Sequence, residues 1–249
     1  MKKYELVTEL SKEFLGKTLF RIRALASFGY VEEGEIGGWI EGEVNLSHDG
    51  DAWVYGDAWV YGDAQVYGDA QVYDDAQVYG DAKVCGDAQV YDDAQVSGDA
   101  QVYGDAQVYG DAKVYGDAKV YGDAKVCGDA KVCGDAKVYG DAKVCGDAKV
   151  CGDAKVCGDA QVYGDAQVCG DAWVYDNAYY ITVGPIGSKG GTLTAFRQAD
   201  NSILVNLGCF SGTIEEFEAE VINHHGETHY AAEYGIVIKL IETRLAEIN

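Results

Sequence analysis

The sequence predicts a mainly β protein in which short strands stack into a long solenoid. The unit G-D-A-x-V-[YC] repeats from Gly50 to Tyr175 as 21 consecutive hexapeptides, with neither insertion nor deletion. Within each unit Ala and Val alternate with the x residue and Tyr or Cys. Alternation of period two is typical of a strand. The Gly-Asp pair tolerates positive φ and local hydrogen bonding, so it predicts a bend after every strand.

Each hexapeptide is too short to bury an apolar face by itself. Ala and Val of the unit are expected on one side of the strand, and the x residue and Tyr or Cys on the other. Such units gain a continuous core only by stacking on one another. A Val in every unit and an aromatic residue in most units are unlike the composition of a flexible acidic linker, so we disfavour disorder.

The spacing of a small residue two places before an aliphatic one, repeated every six residues, resembles the hexapeptide-repeat left-handed β-helices. This resemblance implies three units per triangular coil and therefore about seven coils, in a left-handed triangular parallel β-helix. With strands roughly 4.8 Å apart, the prism is expected to be on the order of 34 Å long. The left hand comes from the resemblance, because the period alone does not establish it.

Residues 18 apart should form columns along such a prism. The lysines of its second half form three columns: Lys113, Lys131 and Lys149; Lys119, Lys137 and Lys155; Lys125 and Lys143. The 21 hexapeptides from Gly50 to Tyr175, which we call the array, hold 23 Asp and 9 Lys. They account for −14 of the chain's net charge of −23. We interpret this as a solvated charged surface. DNA mimicry by the regular carboxylates is a minority hypothesis, which the lysines weaken.

Tyrosine and cysteine at the last position of the unit should form outward columns of their own. Aromatic ladders stabilise neighbouring strands and leave an apolar surface open to a partner. The Trp residues at the x position lie only in the first two units and the last, so they are expected to cover the ends of the core: Trp53, Trp59 and Trp173.

Cysteines that follow one another in a column raise two chemical possibilities, a soft-metal site or disulfides. The sets are Cys127 with Cys145, and Cys133 with Cys151 and Cys169. Zinc requires four converging ligands, and the array contains no His, so we predict no metal site. The simplest interpretation is that Cys is a small alternative to Tyr.

The overall composition indicates a protein that does not bind nucleic acid directly. A net charge of −23 offers no counterion release from phosphates, although it suits a basic protein partner. The first residues lack the apolar core of a signal peptide, and no run has the length of a membrane span. We therefore expect a cytoplasmic protein, without membrane contact, whose eight cysteines are mostly reduced.

The segment before the repeat is expected to be an N-terminal β cap, residues 1–49. Its strand "LFRIRAL", the "FG" turn, "GGWIE" (Gly37 to Glu41) and "NLS" (Asn45 to Ser47) resemble the YdcK-like hexapeptide-repeat proteins. That bacterial and prophage group is labelled as transferases, a label that transfers no catalytic residue to this chain. A cap is physically needed, because the open edge of the first coil invites end-to-end polymerisation.

Residues 182–249, after the solenoid of residues 50–181, predict a small α+β domain. "GTLTAFR" and "SILVNLGCF" predict a β-hairpin, and Thr213 with Glu216 predicts the capping box of a helix. His224 and His225 are expected at the end of that helix. The apolar stripe of the first helix is Ile214, Phe217 and Val221, and that of the second is Tyr234, Val237, Ile241, Leu245 and Ile248.

The loop "GPIGSKGG" is the candidate ligand site, because successive backbone N–H groups can cradle an anion such as a nucleotide phosphate. A flexible join between solenoid and domain is the more ordinary interpretation. The candidate residues are Gly187, Ser188, Lys189, Gly190, Gly191, Arg197, His224, His225 and His229. We expect Cys209 to be a buried strand residue and not a nucleophile.

Three functions are compatible with these features. The first is a non-enzymatic acidic β-solenoid that binds or scaffolds a protein partner, most simply as a homo-oligomer, and is associated with phage or prophage. The second is a phage-type inhibitor that sequesters a nucleotide or mimics DNA. The third is a CoA-dependent acyltransferase, which we disfavour because the array has no loop and no His, and only His48 lies near its first coil. The first function requires no cofactor.

Overall fold

The computed structural model describes residues 2–177, 179–198 and 200–245. Before the repeat lie strands β1 (Tyr4–Phe14), β2 (Lys17–Ala24) and β3 (Ile36–Ile40), and a 3-10 turn at Glu43–Asn45. The repeat itself forms strands of two or three residues: β4 (Trp53–Val54), β5 (Trp59–Val60), β6 (Gln65–Val66), β7 (Gln71–Val72), β8 (Gln77–Val78), β9 (Lys83–Val84), β10 (Gln89–Val90), β11 (Gln95–Val96), β12 (Gln101–Tyr103), β13 (Gln107–Val108), β14 (Lys113–Val114), β15 (Lys119–Tyr121), β16 (Lys125–Cys127), β17 (Lys131–Val132), β18 (Lys137–Tyr139), β19 (Lys143–Cys145), β20 (Lys149–Val150), β21 (Lys155–Val156), β22 (Gln161–Val162), β23 (Gln167–Val168) and β24 (Trp173–Val174). The C-terminal part contains β25 (Tyr180–Ile186), β26 (Gly191–Arg197), β27 (Ile203–Leu207), β28 (Phe210–Thr213), α1 (Ile214–His225) and α2 (His229–Arg244).

The repeat strands stack into three parallel sheets, which we call faces 1, 2 and 3. Face 1 contains β4, β7, β10, β13, β16, β19 and β22; face 2 contains β5, β8, β11, β14, β17, β20 and β23; face 3 contains β6, β9, β12, β15, β18, β21 and β24. Partners in a sheet are 18 residues apart, as for Gln89 with Gln107 and Val90 with Val108. The predicted mainly β fold of stacked parallel coils is confirmed.

The core of the solenoid consists of the Ala and Val columns, whose side chains in the repeat are buried throughout. Glycine is required at the corners, because coils that are one strand spacing apart bring corner backbones together. Gly110 has a φ of 71°, and a Cβ there would lie 2.9 Å from the Gly128 nitrogen. Asp74 and Asp92 replace Gly at two corners with φ values of 60° and 57°, a conformation that Asp tolerates better than most residues.

The segment before the repeat both adds a layer to the solenoid and covers it. Strand β3 pairs in parallel with β5, through Trp39 with Trp59 and Ile40 with Val60, so the solenoid has about eight turns. Strands β2 and β1 continue this sheet in antiparallel order. Trp53 is fully buried beneath the rings of Tyr4 and Phe28, as expected of a residue that covers the end of the core.

The C-terminal part is a small α+β domain, as predicted. Strands β25 to β28 form an antiparallel sheet that contains the expected hairpin of β26 and β27. The Thr213 and Glu216 capping box begins α1, and α1 ends at His225 next to Gly226. The predicted inward residues from Ile214 to Leu245 are buried, while Ile248 lies outside the described residues. Neither α1 nor α2 has the length and apolarity that crossing a membrane requires.

The C-terminal sheet closes the other end of the solenoid. The Gln167 backbone N–H donates to Thr194 Oγ1 at 3.1 Å, and Asn206 Nδ2 donates to the Gln167 carbonyl at 3.0 Å. Phe196 is fully buried and belongs to the core of the solenoid. The expectation that Trp173 covers this end is therefore wrong, because Phe196 fills that place and Trp173 remains 43% exposed.

Candidate functional site

A groove with a volume of about 1150 Å³ runs along face 3. One edge is a column of corner carboxylates and the other is the lysine column, with the indole of Trp173 at the C-terminal end. The lining residues are Asp99, Asp117, Asp135, Asp153 and Asp171, Gln101, Lys119, Lys137 and Lys155, Trp173, Gln198 and Asp200. The groove is therefore a strip of opposite charges repeated once per coil.

The predicted lysine columns are confirmed by the strand register. Lys119 pairs with Lys137 and Lys137 with Lys155 across neighbouring coils. Among the ion pairs of the described residues, none involves a lysine of the repeat. Lys155 lies 5.6 Å from the ring centre of Trp173, which gives the end of the groove a cation–π contact.

The outward tyrosines form stacked ladders on faces 1 and 3. Ring centres are 4.9 Å apart between Tyr73 and Tyr91 and 4.8 Å apart between Tyr103 and Tyr121, with nearly parallel planes. Burial within the ladder raises the pKa of Tyr91 to about 12, because the phenolate is poorly solvated there. The ladders are thus half-buried aromatic strips and not freely hydrated side chains.

Four array cysteines form two disulfides between neighbouring coils. Cys127 is bonded to Cys145 on face 1, and Cys151 is bonded to Cys169 on face 2. The expectation that the cysteines are mostly reduced is wrong for these four, and they are more than small replacements for Tyr. The physical reason is the stacking itself, since in-register strands hold the paired Cα atoms 4.6 Å apart, within disulfide reach. Cys85, Cys133, Cys157 and Cys209 are free thiols.

A second groove, of about 640 Å³, lies in the C-terminal domain. It brings together five of the predicted ligand residues: Ser188, Lys189, Gly191, His224 and His225. Its floor is apolar and includes Phe210, Phe217 and Tyr234. Glu220 also lines it and lies 2.7 Å from the His224 imidazole, a contact that its position four residues earlier on the same helix would have predicted.

The remaining predicted ligand residues are used elsewhere. The Gly187 N–H donates to Glu233 Oε2 at 3.2 Å, and the Gly190 N–H donates to the Gly187 carbonyl at 3.1 Å. The buried Arg197 guanidinium donates to the Leu245 carbonyl. His229 packs on Tyr230 with ring centres 3.8 Å apart. The loop therefore has fewer free N–H groups for an anion than its sequence suggests.

Of two further residues discussed from the sequence, Cys209 departs from expectation and His48 agrees with it. Cys209 is exposed in the turn between β27 and β28 and lines the C-terminal groove. Its predicted burial in a strand is wrong, because β27 ends at Leu207 and the chain turns at Gly208 and Cys209. His48 does lie against the first coil. Its ring stacks on Tyr4 at 4.3 Å, its Nδ1 accepts from the Lys3 N–H, and its Nε2 is 3.7 Å from Glu43.

The residues of the face 3 groove that sequence reasoning missed are Gln198 and Asp200. They follow β26 in the C-terminal part and reach the groove only because β26 packs against the last coils. The sequence around Gln198 and Asp200 contains no pattern that predicts their position in the groove. The described residues contain no group of three or more His, Cys, Asp and Glu side chains placed to hold a metal ion.

Comparison with known proteins identifies the repeat. Residues 64–80, 88–104 and 94–110 match the family model of the YdcK β-solenoid repeat. These stretches lie on the first half of the array, where Gln and Tyr predominate. No curated protein matches the chain.

Proposed function

We propose that this chain, a YdcK-type β-solenoid repeat protein, is a binding and scaffold protein that associates with a second copy of itself along face 3. The observation that supports this is the groove in which a carboxylate column runs beside an unpaired lysine column over several coils. A catalytic site gathers unlike residues at one point, whereas this surface repeats the same residues at every coil.

A second copy fits this strip because it has the same repeat distance. Any partner must place charges at the coil spacing, which is 4.8 Å for the rings of Tyr103 and Tyr121. A two-fold axis parallel to the rod, midway between the columns, would place each lysine of one copy opposite an aspartate of the other. Such an interface is self-complementary, as two-fold interfaces must be.

The test is sedimentation velocity over a range of protein concentrations and salt. We expect self-association that weakens at high salt, because the contacts are ionic and exposed. The double variant Lys119→Glu with Lys137→Glu should abolish it. The matched control, Lys125→Glu with Lys143→Glu, makes the same charge change on face 1 and should leave it intact.

Two results would contradict self-association through face 3, and a third would move the interface to another face. One is a monomer at every concentration, which would leave a different protein as the partner. The other is equal loss of association in both double variants, which would mean that net charge and not face 3 governs it. An association that persists only through face 1 would also reassign the interface.

A second candidate function is binding of a small aromatic anion, such as a nucleotide, in the C-terminal groove. The convergence of Lys189, His224 and His225 over an apolar floor supports it. Thermal shift with nucleotides and acetyl-CoA should show stabilisation that Lys189→Ala removes and the control Lys239→Ala, at an exposed site on α2, preserves. Stabilisation by acetyl-CoA alone would favour the acyltransferase hypothesis, and a flat panel would remove both.

A further inference from the structure

Cysteine in the repeat occurs almost only where lysine precedes it by two residues. Six of the seven array cysteines stand in K-V-C units, and the exception is Cys169, which follows Gln167. Of the 13 array tyrosines, only three follow lysine in this way: Tyr115, Tyr121 and Tyr139. Because the x residue and the last residue of a unit point to the same side of the strand, each K-V-C unit places an ammonium group on the same face as its thiol.

Face 2 contains three cysteines in successive coils, and only two of them can be bonded. Cys151 is paired with Cys169, while Cys133 is a free, partly exposed thiol. The Cys133 N–H donates to the Val150 carbonyl at 2.9 Å, and Lys131 and Val132 pair with Lys149 and Val150. Cys133 therefore stands to Cys151 in the same register as Cys127 stands to its partner on face 1.

We propose that Cys133, Cys151 and Cys169 form a thiol–disulfide exchange site. The Cys133 thiolate attacks Cys151 Sγ, a Cys133–Cys151 bond forms, and the Cys151–Cys169 bond breaks. Cys169 leaves as a thiolate and takes a proton from water, which balances the proton that Cys133 released. One disulfide and one thiol are present before and after, so no oxidant or reductant is consumed.

The surroundings of the column explain why the free thiol is at Cys133 and not at Cys169. Cationic neighbours favour the thiolate, which is the attacking species. Cys133 shares its unit with Lys131 and lies between the coils of Lys113 and Lys149, whereas Cys169 shares its unit with the neutral Gln167. The Tyr115 hydroxyl also hydrogen-bonds Cys133, which raises the pKa of Tyr115. The lysines therefore surround Cys133 more closely than Cys169, and the disulfide occupies the other two positions.

Exchange would change which coils are joined covalently. The Cys151–Cys169 bond ties β23, in the last coil, to β20 in the coil before it, and β23 also carries Gln167, which binds the C-terminal sheet. After exchange the bond would join β17 and β20 and leave β23 without a covalent link. The Cys127–Cys145 pair has no third cysteine in its column and is a fixed link.

The experiment uses the full chain with Cys85, Cys127, Cys145, Cys157 and Cys209 replaced by Ser, a residue the repeat already carries at Ser97. The protein is equilibrated with glutathione and its disulfide at pH 8, alkylated and digested with trypsin. In the background that keeps Lys131 and Gln167, a Cys133–Cys151 bond joins two identical hexapeptides, residues 132–137 and 150–155, whereas Cys151–Cys169 joins one of them to residues 156–189. The two products differ in mass, and circular dichroism checks that the variant retains the β-solenoid.

We expect mainly Cys151–Cys169 in this background. Exchanging the charges with Lys131→Gln and Gln167→Lys should shift the ratio toward Cys133–Cys151 by roughly tenfold, since each exposed lysine–thiolate pair is worth up to about fivefold. The matched control is Lys125→Gln with Gln161→Lys on face 1, which should not change the ratio. If the parent background does not fold, the same charge exchange in a variant that lacks only Cys127 and Cys145 gives the readout.

Three outcomes would overturn the exchange site. The charge exchange could leave the ratio unchanged, the face 1 control could shift it equally, or neither disulfide could form in the glutathione buffer. Direct exchange has its own criterion: protein purified as Cys151–Cys169 and incubated without added thiol must generate Cys133–Cys151, and Cys133→Ser must prevent loss of the original bond.

Discussion

The two halves of the solenoid have the same backbone and core but different surfaces. In the first half the outward positions are mostly Gln and Tyr, and neighbouring coils are joined by stacked rings such as Tyr73 on Tyr91. In the second half they are mostly Lys and Cys, and neighbouring coils are joined by the Cys127–Cys145 and Cys151–Cys169 disulfides. The comparison shows that one coil spacing suits both an aromatic stack and a covalent bond, since the backbone hydrogen bonds between parallel strands set that spacing in both halves.

The lysine columns of the second half create repulsion that other contacts between coils must offset. Lysines in successive coils, such as Lys119, Lys137 and Lys155, repel one another. Glutamines in the first half do not repel, and the side-chain amides of Gln89 and Gln107 interact at 3.4 Å. Covalent links between coils therefore occur in the half where the outward columns are electrostatically least favourable.

Reduction of the disulfides should give the largest effect and confine it to the second half. Each bond closes a loop with a sequence separation of 18 residues, so its loss should lower the free energy of unfolding by about 3 kcal/mol, chiefly through the entropy of the unfolded chain. Urea unfolding with and without dithiothreitol measures this. Hydrogen exchange should show faster opening in β16 to β23 and little change in β7 to β13.

The control is Cys127→Ser with Cys151→Ser, which removes one partner of each bond. Its stability should match that of the reduced protein and should not respond to dithiothreitol. An undiminished response would mean that other cysteines carry the effect. Equal loosening of both halves would contradict the idea that the disulfides support the second half specifically.

Alkaline pH should give the next largest effect, and in the first half it should act through the tyrosine ladder of face 1. Burial raises the pKa of Tyr91 to about 12, and the pKa of Tyr73 is also raised. A raised pKa in the folded state means that this stability is complete below pH 10, the ordinary value, and is lost as the pH rises toward 12. After allowance for solvent screening, the loss at Tyr91 should be on the order of 1–2 kcal/mol.

Urea unfolding at pH 9 and pH 11.5 measures this loss, with tyrosinate absorbance as the direct titration. The matched variant Tyr91→Phe keeps the stacked ring and removes the ionisable hydroxyl, so its stability should fall less between the two pH values. If Tyr91→Phe loses as much stability as the parent, phenol ionisation in the ladder does not cause the alkaline transition.

The periodic features of the molecule could be predicted from sequence, while the features that depend on contacts between distant segments could not. The columns of Lys119 and Lys137 follow from counting 18 residues, because every unit has the same length. The hairpin and the capping box of Thr213 follow from local chemistry. The handedness of the coil stays a prediction from the family resemblance.

What could not be predicted lies at the ends and in the grooves. Phe196, and not Trp173, covers the last coil because β26 packs there. The period of a repeat carries no information about such a contact with a distant segment. The Gly187 N–H is used by Glu233 across 46 residues, which removes it from the predicted anion loop. The cysteine columns were predicted, but the pairing of Cys151 with Cys169, which leaves Cys133 free, was not.

Relief of lysine repulsion should give the smallest effect. Lys137→Gln removes the middle charge of a column in which Lys119 and Lys155 are its neighbours, and it should stabilise the protein by a few tenths of a kcal/mol. The converse change is Gln101→Lys in the first half, where Lys83 and Lys119 flank the position, and it should destabilise by a similar amount. Both effects on the free energy of unfolding should disappear in about 1 M salt, where the screening length falls to roughly 3 Å. Differences of the same size at low and high salt would mean that packing of the side-chain stems, and not charge, distinguishes the two halves.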